Sequence, residues 1–151
     1  MRAFEDTIES VVALAFFVPL IIGTGGNAGS QTTTTTTTTI VRSMATGEVR
    51  FSDARRIMWK EMRVGALLGV TMAGIGLLRA VTWGTGQELA FVVALGLMSV
   101  VLLATFVGSI LPLLLRRFGL DPAVVSAPFI TTFVDATGLL IYFLLAQAIL
   151  V

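Results

Sequence analysis

Four apolar stretches divide the chain, and the polar segments between them carry most of its charge. The stretches cover residues 11–22, 64–78, 89–115 and 123–151. The last two are long enough to cross the roughly 30 Å hydrocarbon core of a bilayer as helices. The second becomes long enough if the amphipathic approach RRIMWKEM extends it, because Arg and Lys side chains reach the interface from such positions. The first crosses only if residues 23–41 also lie within the membrane.

Composition supports an all-α, polytopic transmembrane bundle of about four spans. Of the 151 residues, 56% are hydrophobic and only 13% are charged, which is outside the range of an ordinary soluble domain. The chain contains no Cys and no His. Disulfides, thiolate metal sites and the commonest transition-metal ligand are therefore excluded, while oxygen ligation of hard cations remains open. A net charge of +1 gives no indication of nucleic-acid binding.

The distribution of basic residues predicts the orientation in the membrane. The segment 42–63 carries six Lys or Arg residues and the turn 116–122 carries two, whereas only Arg2 and Arg79 fall on the opposite side. The positive-inside rule places the two basic segments in the cytoplasm of a multi-pass cell-membrane protein. Both termini then face outward. Because the chain shows no signal peptide, this orientation leads us to expect that an earlier span is missing from the sequence.

The connecting segments have recognisable signals of their own. Residues 42–63 read as an interfacial amphipathic helix that precedes the second span. The stretch WGTGQE at 83–88 predicts a short outer loop with Gly as turn former. We expect Asp121 to cap the last helix and Pro122 to occupy its first turn.

The stretch GTGGNAGSQ at 23–31 interrupts an apolar run with glycines and amides. It predicts a broken first helix, because irregular backbone at membrane depth is tolerated where it lines a wet cavity or is packed in protein. The alternative is close helix packing by small residues. Asn27 and Gln31 lie four residues apart, hence on one helical face, and favour a pore or binding role. The eight threonines at 32–39 can bond back to helix carbonyls, but for individual threonines we favour low complexity without specific chemistry.

Asp135 is the only charged residue between position 123 and the end of the sequence. A carboxylate near the middle of a span costs at least ~2.5 kcal/mol, which makes it a functional candidate. A bound cation is a better partner than Arg79, which is predicted at the outer surface. Thr131, one helical turn earlier, and Thr132 add oxygen atoms nearby. A lone carboxylate among hydroxyls suits hydrated Mg²⁺, although this chemistry does not separate Mg²⁺ from Mn²⁺, Ca²⁺ or a proton relay.

Several motifs resemble the transmembrane domain of the MgtE family of magnesium channels, in order and from about residue 4 onward. They are ALAFFVPLIIGTGGNAGSQ (13–31), VRSMATGEV (41–49), KEMRVGALLG (60–69), LPLLLRRFGLDPAVVSAP (111–128) and DATGLLIY (135–142). The resemblance implies a homodimer whose pore lies on the two-fold axis and is lined by the first and last helices. It also implies that Asp135 is the pore aspartate that binds hydrated Mg²⁺.

The sequence departs from the family pattern at three points. The family domain has five transmembrane helices, so residues 1–151 would be a single transmembrane domain without the first helix and without the cytoplasmic regulatory and CBS domains. The threonine run is about one helical turn longer than the family spacing. Position 127 is Ala where a polar residue is expected near the pore.

The resulting prediction is a membrane Mg²⁺ channel and not an enzyme, since no acid/base pair, activated nucleophile or phosphate loop is present. Asp135 and Thr131 would bind the ion, and Glu5 and Glu9 would collect cations at the outer mouth. The other residues predicted to line the pore are Gly26, Asn27, Gln31, Thr132 and Gly138. Two alternatives remain: a proton-coupled divalent cation transporter, and a non-conducting membrane subunit that needs a separate regulatory partner.

Overall fold

The computed structural model describes residues 12–46, 54–124 and 127–150. Its elements are α1 (Ala13–Thr46), α2 (Ala54–Thr82), α3 (Gln87–Arg117), a 3-10 turn (Pro122–Val124) and α4 (Ala127–Leu150). The described residues form no β-strand. All four α-helices are long and apolar enough to cross a membrane. The predicted all-α bundle of four spans is confirmed, whereas the dimer stays a prediction.

The predicted break in the first helix is wrong. α1 is continuous through the glycine-rich stretch and the threonine run. Hydroxyl groups of the run donate to carbonyl oxygens four residues earlier: Thr33 to Gly29 at 2.8 Å and Thr34 to Ser30 at 3.0 Å. These two bonds satisfy the hydroxyl hydrogens of Thr33 and Thr34 without displacing the helical backbone bonds. The buried hydroxyls of Thr36 and Thr37 have no hydrogen-bond partner among the described residues.

The described basic residues immediately before the second apolar stretch, within 54–63, are part of the spanning helix. α2 begins at Ala54, so the predicted extension by RRIMWKEM is confirmed, and the described part of the predicted interfacial helix is not a separate element. With 29 residues and a rise of 1.5 Å per residue, α2 is about 43 Å long. This exceeds the hydrocarbon thickness by about 13 Å, which is enough for its first turns to lie among headgroups.

Glycine contacts define how the helices pack. Gly25 of α1 faces Val100 and Gly29 faces Ala104, so α1 and α3 run parallel. Gly29 also faces Ile130 of α4, whereas Tyr142, further along α4, donates its hydroxyl to the Leu14 carbonyl at 3.2 Å. α1 and α4 are therefore antiparallel. α3 contacts the other three helices and is the centre of the bundle.

The two ends of the bundle differ in charge and in their connections. Arg79 lies at one end with its guanidinium 4.2 Å above the ring of Trp83. The predicted short loop between α2 and α3 is confirmed, and its glycines Gly84 (φ 69°) and Gly86 (φ 91°) have positive φ. The remaining described cations lie at the opposite end: Arg42, Arg55, Arg56, Lys60, Arg63, Arg116 and Arg117. That this end faces the cytoplasm stays a prediction.

The connection between α3 and α4 corrects two predictions about the start of the last helix. α3 ends at Arg117 and is followed by a left-handed glycine, Gly119 (φ 75°). The amide of Leu120 donates to the carbonyl of Leu115 at 2.9 Å, as in a Schellman motif. The predictions that Asp121 caps the last helix and that Pro122 occupies its first turn are wrong, because Pro122 begins the 3-10 turn. The Oδ1 of Asp121 accepts from the Ala123 amide at 2.8 Å and stabilises the 3-10 turn, whereas α4 begins later, at Ala127.

Replacing Gly25 by Ala is expected to destabilise the bundle. The new Cβ would overlap Val100 and lie 3.1 Å from Val134 Cγ1. Overpacking of this kind costs about 1–3 kcal/mol, only partly offset by the ~1 kcal/mol better helix propensity of Ala. Gly23→Ala is the matched control, because nothing lies within 4 Å of a Cβ there. Thermal unfolding in detergent should give a lower Tm for the Gly25 variant; equal Tm values would contradict the packing.

Candidate cation site

Asp135 lies near the middle of α4 and has no partner for one of its carboxylate oxygens. The side chain is partly exposed, but Oδ1 is buried and makes no hydrogen bond within the part of the chain that the structure describes. α4 contains no other charged residue. A buried, unpaired carboxylate oxygen is costly, so this position requires water, a proton or a cation to satisfy it.

Gly26 of α1 makes room for the carboxylate. A Cβ at this position would lie 2.8 Å from Asp135 Oδ1 and 3.5 Å from both Cβ and Cγ2 of Thr131. The absence of a side chain at Gly26 thus allows α1 to approach the polar face of α4. The structure brings together three of the predicted site residues, namely Gly26, Thr131 and Asp135.

The hydroxyl groups near Asp135 use their hydrogens within α4. Thr131 and Thr132 both donate to the carbonyl of Pro128, at 3.0 and 2.8 Å, and Thr137 donates to the carbonyl of Phe133 at 2.7 Å. A hydroxyl that has given its hydrogen to a carbonyl still has lone pairs that can accept from water or bind a cation. The oxygen atoms around the carboxylate are therefore acceptors, which is the character that Mg²⁺ requires.

The buried and exposed faces of α1 differ in the glycine-rich part of the helix, where most of the glycines are buried and both amides are exposed. Gly25, Gly26 and Gly29 are buried in the bundle, and Gly25 and Gly29 pack against apolar side chains of neighbouring helices. The pore-lining role of Gly26, which faces Asp135, stays a prediction. The exposed face instead carries glycine, amides and hydroxyls at intervals of three or four residues. We call this set the polar stripe: Gly23, Asn27, Gln31, Thr34, Thr35 and Thr38.

The polar stripe restricts what can cover α1 at membrane depth. Lipid tails offer no hydrogen-bond partner for the amides of Asn27 and Gln31, so this face requires water or another protein surface. Asn27 and Gln31 lie on a common exposed face of the continuous helix α1, as predicted. Their pore-lining role stays a prediction. The sequence analysis did not assign Thr34, Thr35 and Thr38 to this face. Their spacing from Gln31, at three, four and seven residues along a helix, is the signal that predicts it.

The structure bears unequally on the four other predicted residues, which are Gly138, Glu5, Glu9 and Thr132. Gly138 is buried, and a Cβ there would lie 3.0 Å from Val100 Cγ1, so it packs against α3, and its pore-lining role stays a prediction. Glu5 and Glu9 lie outside the described residues, so their place at an outer mouth stays a prediction. Thr132 is exposed on α4, which is compatible with a pore-lining position.

The described residues form no cluster of three or more acidic, His or Cys side chains that could hold a metal. A closed cage of protein ligands is therefore absent from this part of the chain. A single carboxylate with hydroxyl acceptors fits an ion that keeps most of its water, as Mg²⁺ does.

Comparison with known proteins gives matches to one family over nearly the whole chain. The family model MgtE, described as a divalent cation transporter, matches residues 18–145. A magnesium transporter MgtE of Thermus thermophilus is 45% identical over 150 residues, covering 99% of this chain and 32% of the relative. Those of Bacillus subtilis and Enterococcus faecalis are each 34% identical over 145 residues, covering 96% and 95% of this chain and 31% of each relative.

The chain thus spans about a third of the length of the curated relatives that it matches. The matched family is one of divalent cation transporters and not of enzymes, in agreement with four described helices that are long and apolar enough to span a membrane. By the family match over residues 18–145 and these identities, the chain belongs to the MgtE family of divalent cation transporters.

Proposed function

We propose that this chain forms the ion-conducting part of a Mg²⁺ channel in which Asp135 is the selectivity carboxylate. The observation that carries the proposal is the buried and unpartnered Oδ1 of Asp135 within a membrane span. No ion pair of Asp135 occurs among the described residues, and Arg79 stacks on Trp83 instead. A hydrated cation would satisfy this oxygen through its water shell.

The chemistry of the neighbouring groups supports a hydrated hard cation. Every side-chain ligand available near Asp135 is an oxygen, and hard divalent cations prefer oxygen ligands. Mg²⁺ loses water reluctantly and is commonly held by one or two carboxylates, which fits a site with a single carboxylate per chain. The relatives' names as magnesium transporters agree with this choice of ion.

We propose further that two copies of the chain enclose the path. A two-fold axis beside α1 and α4 would bring two polar stripes and two Asp135 carboxylates to face one another, as closed homodimer symmetry requires. Such a pair of carboxylates forms a charge ring that favours divalent cations. The membrane potential would assist inward movement by ~4.6 kcal/mol per 100 mV for a divalent ion.

Asp135→Asn is expected to lower Mg²⁺ flux roughly tenfold to hundredfold, because hydrogen bonds to a charged group contribute about 1.5–3 kcal/mol. Flux into liposomes should be measured under an imposed voltage, first with a proton gradient and then with it collapsed. The thermal stability of the variant should not fall, since the substitution removes an unpaired charge. Glu88→Gln, at the exposed start of α3, is the control and should keep normal flux.

Three results would contradict the channel proposal. Unchanged flux in the Asp135 variant would mean that the carboxylate of Asp135 takes no part in ion conduction. Flux that disappears when the proton gradient is collapsed would favour the coupled transporter. An inactive wild-type chain would favour a subunit that conducts only with a partner.

Gly26→Ala is expected to reduce Mg²⁺ flux several-fold while the protein remains folded. The added Cβ would lie 2.8 Å from Asp135 Oδ1, closer than a carbon and an oxygen approach without displacement, so the carboxylate must shift. Gly74→Ala on α2 is the matched control, because nothing lies within 4 Å of a Cβ there. Equal flux in the two variants would mean that the position of the carboxylate beside Gly26 does not matter for conduction.

A further inference from the structure

A cationic cleft on α2 lies apart from the proposed ion path. Among the described residues it is lined by Lys60, Arg63, Val64 and Leu67, and its volume is about 410 Å³. These positions are spaced by three or four residues along the helix, so they form one face parallel to the helix axis. Two cations occupy the end of the cleft near the start of α2, and two apolar side chains follow toward the middle of the span.

The charge at the start of α2 is strongly positive and accessible. Arg55, Arg56, Lys60 and Arg63 are all exposed. The one acidic residue described in these turns is Glu61, which is buried and lies 3.6 Å from Lys60. Because the Lys60 side chain is 69% exposed, that ion pair is weak and leaves the ammonium available to a second anion.

The cleft continues into a surface that is suited to acyl chains. Val64 is 54% exposed and Leu67 is 72% exposed, and the apolar exposure continues toward the other end of α2 at Ile75 and Leu78. Trp59, the residue before Lys60, is 62% exposed at the level of the cations, the position that tryptophan favours at a membrane interface. A ligand that matches this surface has an anionic head and an apolar tail.

We propose that the cleft is a binding site for an anionic phospholipid. Its phosphate would lie between Lys60 and Arg63, where Arg can donate two parallel hydrogen bonds. One acyl chain would lie along Val64 and Leu67. The excess of cations over acids in these turns favours a headgroup with net negative charge, such as phosphatidylglycerol, over a zwitterionic one. This site requires neither the proposed pore nor a dimer.

The two tryptophans of the chain allow a direct test. Trp83→Phe leaves Trp59 as the only tryptophan, one helical turn from Arg63. This protein is reconstituted in two preparations of phosphatidylcholine vesicles. One contains a small fraction of phosphatidylglycerol brominated near the headgroup, and the other contains the same fraction of phosphatidylcholine brominated at the same position. Stronger quenching of Trp59 by the brominated phosphatidylglycerol is expected. Lys60→Gln and Arg63→Gln should each lower the apparent association constant for this lipid roughly fivefold.

Two control variants make the test specific. Arg117→Gln removes an exposed cation from the same end of the bundle but from α3, and it should leave the association constant unchanged. Lys60→Arg should retain binding. The proposal is overturned by equal quenching from the two brominated lipids, by an equal loss in the Arg117 variant, or by displacement of the lipid with inorganic phosphate at constant ionic strength. The last result would identify a site for free phosphate.

Discussion

The close approach of α1 to its neighbours is the interaction on which the rest of the structure depends. Inside a membrane there is little hydrophobic gain when two helices associate, so contact must come from close packing of small residues. Gly25 and Gly29 supply this contact against Val100, Ala104 and Ile130. Since these glycines fix which face of α1 is buried, they also fix which face is exposed, and the polar stripe is that exposed face.

The same packing determines the geometry of the carboxylate. Gly26 lies between the two packing glycines, so its position against Asp135 and Thr131 follows from the register of α1 on α4. α3 uses the same device on its other side, where Gly65 of α2 packs directly against Thr105. A further glycine of α3, Gly108, lies against the carbonyl of Gly29. The candidate site is therefore a consequence of helix packing rather than of a local motif.

Local sequence signals predicted the features that depend on local physics. Hydropathy located four spans, and the glycines at 84 and 86 located the turn between α2 and α3, because span length and backbone conformation are properties of short segments. The predicted break in α1 failed for the opposite reason. Glycine weakens a helix in water, but in a bundle the absence of its side chain allows a neighbouring helix to pack closely. The stabilisation from this packing depends on residues that are far away in the sequence.

For the candidate site too, the sequence predicted the residues within one helix but not the contact between two helices. The cost of a charge in hydrocarbon identified Asp135 from the sequence, and helical spacing placed Thr131 beside it. The pairing with Gly26 was not derivable from spacing, because it depends on how α1 and α4 cross. Gly138 shows the same limit: it is close to Asp135 by helical spacing, but it packs against Val100.

The described part of one chain leaves Asp135 Oδ1 without a hydrogen-bond partner and the polar stripe exposed. The described residues offer no cation to Asp135 and no cover for Asn27 and Gln31 at membrane depth. Both deficits lie on α1 and α4, and both would be relieved by a water-filled space that holds a cation and is closed by a second copy. The dimer, the water path and the bound ion are thus linked proposals, since each meets the same physical requirement that polar groups within a bilayer be satisfied.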